Sequence, residues 1–187
     1  MGMSATRIWT REEVLDLPDD GKKYELVDGE LLVTPSPRGR HQRGVLELYK
    51  LVEPYVATQG IGGVMALPSD LDLQSGQLVQ PDLFVGALVD GREPVEWEEF
   101  GVPILVVEVL SPSTAQDDRV RKRRLYQRVE VPVYWIMDLD ARVVEVWTSD
   151  ANRPGIEDER LNWQPDPAVP VLTIDLPAYF RRVWGEE

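Results

Sequence analysis

The chain has 187 residues, 43% hydrophobic and 28% charged, enough for one folded unit over 1–187 with a sizeable core. A formal charge of −13 excludes a protein that coats nucleic acid by bulk electrostatics. Absence of cysteine excludes disulfides and thiolate metal sites and points to the cytoplasm, and the single histidine, His41, excludes a site built from several imidazoles. No run nears the roughly 20 apolar residues that span a bilayer, so no membrane partner is expected.

Thr10-Arg-Glu-Glu13 reads as a capping box opening a short helix that ends near Pro18. Tyr24 to Thr34 reads as a hairpin turning at Asp28-Gly29. Val45, Leu48, Leu51, Val52 and Tyr55 recur at helical spacing and predict a helix over 41–58. Strands follow near 63–73 and 79–87, with Ser75-Gly76 between them, and 90–101 reads as an acidic surface loop. Val102 to Leu110 is apolar but for Glu108, the pattern of a strand buried on both faces. Ser111-Pro-Ser-Thr114 is expected to cap a helix running to about Val129. Val133–Met137 and Arg142–Thr148 read as strands, followed by a looser strand pair and a helix near 176–184. The class is α/β: a mixed central sheet flanked by helices, preceded by a helix and a β-hairpin. Trp135, Trp147, Trp163 and Trp184 read as core or interface anchors.

A carboxylate in a buried strand costs several kcal/mol unless a cation meets it, so Glu108 calls for one. Asp82, after Pro81 at a strand entrance, is the expected second ligand of a Mg²⁺ or Mn²⁺ ion. Asp118, Lys122 and Tyr126 fall at i, i+4 and i+8 on one helix face. Lys122 then either serves the site or forms a surface pair with Asp118. Arg119, Arg121, Arg123, Arg124 and Arg128 crowd the same helix, as a phosphate dock or as a solvated face. His41 opens the long helix as a cap or a phosphate contact, and Glu25 by itself reads as an exposed strand glutamate.

Leu17-Pro18, Tyr24-Glu-Leu-Val-Asp-Gly-Glu30, His41-Gln42, Pro81-Asp82, Glu108-Val-Leu-Ser-Pro-Ser-Thr114, Asp118-Arg-x-x-Lys122-x-x-x-Tyr126 and Val131-Pro-x-Tyr-Trp-Ile-x-Asp138 occur in this order. Together they resemble the bacterial family named putative restriction endonucleases (Uma-two), a branch of the PD-(D/E)XK nuclease superfamily. The resemblance implies a restriction-endonuclease-like fold and a metal-dependent DNA endonuclease using Mg²⁺ or Mn²⁺. It implies Asp82, Glu108 and the Val109 carbonyl as metal ligands and Glu25 as an accessory acid. Leu110 stands where the superfamily has its lysine, and Lys122 is the replacement; Glu130 stands where the family usually has glycine. His41, Arg119, Arg121 and Arg124 are then the expected DNA contacts, and a homodimer or higher homo-oligomer the expected assembly. The other reading is a catalytically inactive module of the same fold, used for DNA binding or protein assembly.

Overall fold

Thr10 opens helix α1 (Arg11–Leu15) as the sequence requires, its hydroxyl accepting from the Glu13 N–H at 3.3 Å while the Glu13 carboxylate accepts from the Thr10 N–H at 2.9 Å. The computed structural model describes residues 7–36, 39–66, 70–73, 76–96 and 99–186. Strands β1 (Lys23–Val27) and β2 (Glu30–Thr34) form the expected hairpin. Asp28 and Gly29 both have positive φ, 53° and 79°, which matches the twist of the turn to that of the strands. Helix α2 (Gly39–Gln59) buries Val45, Leu48, Val52 and Val56 on one side.

The strand expected over 63–73 divides between two sheets. Its first part, β3 (Gly62–Met65), pairs with β6 (Leu83–Ala87); its last, β4 (Leu71–Asp72), pairs with β5 (Leu78–Val79), which continues to β1. Ser75 of the expected turn lies outside the described residues, and Gly76 has a φ of 71°. The buried strand β7 is shorter than expected, Leu105–Val109. Strands β8 (Val133–Asp138), β9 (Val143–Thr148) and β10 (Gly155–Glu157) complete a six-stranded sheet of order β10-β9-β8-β7-β6-β3, mixed because β7 and β8 run parallel. A four-stranded sheet has the order β2-β1-β5-β4, and β11 (Arg160–Trp163) pairs with β12 (Leu172–Asp175) ahead of the last helix.

Period-two alternation divides the core into two. Leu83, Val85, Leu105, Val107 and Trp135 pack on α2 and on the C-terminal helix that begins at Leu176. Phe84, Val106, Tyr134 and Ile136 face the small sheet and the crossover helix between β7 and β8. Trp135, Trp147 and Trp163 are buried, and Trp184 packs half-buried on the first cluster.

That crossover is not the single α-helix expected. Helix α3 (Ala115–Asp117) passes through a π-helical turn, Asp118–Lys122, into α4 (Arg123–Arg128), and the C-terminal helix is α5 (Leu176–Trp184). Such turns insert one residue and occur often at functional sites. Thr114 precedes α3, but its hydroxyl makes no cap; it accepts instead from the Ser111 N–H at 3.3 Å. Helix α4 closes in a Schellman motif: the Val131 N–H donates to the Tyr126 carbonyl at 2.9 Å and the Glu130 N–H to that of Gln127 at 3.1 Å. The motif sets Glu130 at a φ of 61°, the left-handed region that favours glycine. The Glu130 side chain is exposed. Glu130→Gly is therefore expected to stabilise the fold by about 0.5–1 kcal/mol, read as a higher urea midpoint at unchanged slope.

Candidate active site

Strand register brings the first two acids together. Leu83 pairs with Val107 in the antiparallel β6–β7 ladder, so one step further Asp82 stands opposite Glu108. Opposed residues in such a ladder share a face, and this face is the one on which Phe84 and Val106 look toward the small sheet. Asp82 is held from three sides. Its Oδ1 accepts from Lys23 Nζ at 2.6 Å; its Oδ2 accepts from the Val109 N–H at 2.9 Å and lies 3.0 Å from His41 Nε2. Glu108 Oε1 accepts from Lys122 Nζ at 3.0 Å and from the Tyr126 hydroxyl at 3.3 Å.

Alternation along β1 aims Lys23, Glu25 and Val27 inward together. Glu25 is therefore buried, not an exposed strand glutamate. Its Oε1 accepts from the Gln80 N–H at 2.8 Å, and its Oε2 lies 2.9 Å from Lys122 Nζ. The π turn points Asp118 and Lys122 the same way, 3.3 Å apart, and the Tyr134 hydroxyl donates to the Asp118 carbonyl at 3.2 Å. Both side chains are buried, which replaces the surface-pair reading. Lys122 thus touches three carboxylates from three elements.

Four buried acids, Glu25, Asp82, Glu108 and Asp118, surround the buried ammonium of Lys122 and the half-buried one of Lys23. Burial pushes the Glu108 carboxyl well above its ordinary range, and Asp118, Asp82 and Glu25 add to this against the opposing pull of Lys122. Burial also raises Asp118. Burial works upward on Asp82 too, but His41 and Lys23 outweigh it and hold that carboxyl well below the usual range. Lys122 is pushed down by burial and lifted further by Glu108, Glu25 and Asp118, so it stays a cation and is no general base. Burial keeps the Tyr126 phenol protonated, a donor to Glu108.

This excess of buried negative charge fits a divalent cation. Among the described residues no three side chains of His, Asp or Glu form a ready-made metal cage. Two carboxylates, a backbone carbonyl and water are nonetheless a donor set that Mg²⁺ accepts, and Asp82, Glu108 and Val109 carry it. Glu25, Asp82 and Glu108 line a cavity of about 470 Å³ whose wall also includes Arg40, His41, Ser111 and Leu110.

The fold brings together Asp82, Glu108, Lys122, Glu25 and His41. It does not bring Arg119, Arg121 or Arg124 to the cavity. Arg119 is turned onto Glu145 at 2.5 Å and Asp138 at 3.0 Å, Arg121 onto Glu30 at 2.9 Å and Asp117 at 3.3 Å, and Arg124 is exposed outside. Lys23 is the residue that sequence reasoning missed. Its signal was available: two positions before Glu25 on a strand puts both on one face.

A family model described as "Uma2: Putative restriction endonuclease" matches residues 11–177. No curated protein matches the chain. Among solved structures, it superposes on the crystal structure of a putative nuclease belonging to DUF820 from Anabaena variabilis ATCC 29413. The TM-score is 0.73 at 21% identity, over 93% of this chain and 98% of that one. The shared architecture is a mixed central sheet flanked by helices.

Lys122→Met would leave Glu25, Glu108 and Asp118 buried without their cation, which is expected to cost about 3–5 kcal/mol near neutral pH. A carboxyl whose folded-state pKa is raised contributes fully below its unfolded-state value and loses that contribution as pH climbs through the folded one. Denaturant midpoints should therefore show the gap to wild type narrowing from pH ~8 to pH ~5. A gap independent of pH would contradict this account of the cluster.

Proposed function

The chain belongs to the Uma2 family of putative restriction endonucleases, and from that premise we propose that it is a metal-dependent DNA endonuclease of the PD-(D/E)XK type. One observation carries the reading. Lys122 reaches from the crossover helix to within 3.0 Å of Glu108, supplying beside the strand acid the ammonium that Leu110 cannot supply from the strand itself.

Asp82, Glu108 and the Val109 carbonyl would hold Mg²⁺ or Mn²⁺. When bound, such an ion lowers the pKa of a water and neutralises charge developing at phosphorus. The remaining steps belong to the chain's own groups. Lys122, permanently charged, offers N–H donors to the attacking water or to a non-bridging phosphate oxygen. Glu25 and Asp118 fix the direction of that ammonium. Lys23 and the Val109 N–H hold the Asp82 carboxylate in one orientation, so little reorganisation is needed when substrate arrives. His41, whose Nδ1 has no hydrogen-bond partner among the described residues, stands at the start of α2 and lines the cavity beside Asp82. Hydrolysis adds water across one P–O bond and leaves a phosphate on one fragment and a hydroxyl on the other. The absence of cysteine is in keeping with a cytoplasmic setting.

A silent nuclease-fold module is the second reading, and one observation favours it: Lys23, His41 and the Val109 N–H already meet the Asp82 carboxylate without a metal. Calorimetric titration of Mg²⁺ and Mn²⁺ separates the two. Wild type is expected to bind saturably, and Asp82→Asn/Glu108→Gln to lose that binding together with at least ~100-fold of oligonucleotide cleavage. Equal weak binding by both proteins would favour the silent module, and undiminished cleavage by the double variant would remove these acids from the mechanism.

A further inference from the structure

Building on the nuclease reading, we infer that the substrate is an unpaired strand of DNA drawn across Asp82, with Arg40 receiving a strand phosphate and Trp184 positioning Arg40.

The first ground is shape. Glu25 and Glu108, at 1% and 3% exposure, lie at the floor of the larger cavity. A second cavity of about 270 Å³ shares Lys23, His41 and Asp82 with the first. Two concave spaces therefore meet at the acid that would hold the metal beside the scissile phosphate, and each is near the scale of a small-ligand pocket, ~300 Å³ and upward. A B-form duplex carries its phosphates on a convex cylinder about grooves ~12 Å and ~6 Å wide, stiffened by stacking. An unpaired strand is free of that curvature and that stiffness. A single strand can lay one nucleotide unit on either side of Asp82.

The second ground is charge. Proteins that grip a duplex by its backbone use many phosphate contacts, often ~6–10, and here three of the arginines that could supply them are paired with carboxylates. Arg119, Arg121 and Arg128 are tied to Glu145, Glu30 and Asp28, on a body whose net charge is −13. Among the residues lining the larger cavity, Lys23, half-buried, and Lys122, buried, are paired with carboxylates. Arg40 is the lining cation with a substantially exposed side chain, at 48%.

Arg40 is also posed for an anion. Its guanidinium carbon lies 3.6 Å from the centroid of the Trp184 ring, and the Trp184 indole N–H donates to the Leu139 carbonyl at 3.0 Å, which fixes that ring. Stacking holds the plane of the guanidinium while leaving its N–H edge free. Among the described residues that edge meets Asp140, at 3.2 Å, itself 75% exposed. A phosphate can displace so weak a surface pair and accept two parallel hydrogen bonds. Trp184 lies beyond residues 11–177, outside the stretch shared with the family.

The test uses the full chain with Mn²⁺ or Mg²⁺ and one oligonucleotide sequence offered as a single strand, as a blunt duplex and as a duplex with an unpaired centre. The single strand and the unpaired centre are expected to be cut with kcat/KM at least ~10-fold above the blunt duplex. Arg40→Ala should raise KM ~10-fold with kcat within ~2-fold; Trp184→Ala should move KM the same way, and Trp184→Phe should restore it. Wild-type binding to the single strand should weaken with salt at a log–log slope of about −0.7 to −1.4, one or two phosphates. A blunt duplex cut as well as the single strand overturns the inference and leaves the nuclease reading standing. An unmoved KM in Arg40→Ala, or a slope corresponding to many contacts, overturns the role of Arg40. No cleavage of any form overturns both readings together.

Discussion

The ammonium of Lys122 is the point on which three parts of the molecule close. Glu25 reaches it from the small sheet, Glu108 from the central sheet and Asp118 from its own helix, all within 3.3 Å. Removing these charges from water is expensive, and their mutual attraction compensates only when every partner is in place. The small sheet, the crossover helix and the end of β7 are therefore obliged to dock together. A cluster that is costly to bury specifies one arrangement of the elements that bury it.

Chemistry depends on the same closure. Asp82 stands opposite Glu108 because of the β6–β7 register, and a one-residue slip would turn one of them to the other face. The π turn sets Asp118 and Lys122 both inward, where the strand acid ends. The first turn of α2 adds His41, and β1 adds Lys23 and Glu25 as alternate residues. Lys23, Glu25, His41, Glu108 and Lys122 thus ride on regular elements, and Asp82 stands immediately before β6. Residues on helices and strands hold their geometry better than residues on loops.

Features carried by local chemistry were legible in the chain. The capping box at Thr10, the hairpin at Asp28-Gly29 and the long amphipathic helix α2 each depend on contacts within a few residues, and each is found where the spacing puts it. Glu108 stood out because a carboxylate in an apolar run is an energetic anomaly at any fold position. The segment 63–73 misled because strand partners are distant in sequence: a run of apolar residues does not say that its two ends join different sheets. The π turn was hidden as well, since the spacing of Asp118, Lys122 and Tyr126 is that of an ordinary helix face. Lys23 was passed over because no apolar context marked it.

The arginines of the crossover helix show where reading by charge alone stops. A run of basic residues reads as a nucleic-acid dock, yet Arg119 and Arg121 spend their charge on acids 26 and 91 residues away in the chain. By itself the sequence determined the α/β class, most element types and the strand acid Glu108 as the place to look for a site, because side-chain periodicity and the cost of burying charge are local properties. Only the tertiary structure decided which cations answer which carboxylates, how deep the acids lie and which arginine remains open beside them, because ion pairing and desolvation depend on distance through space.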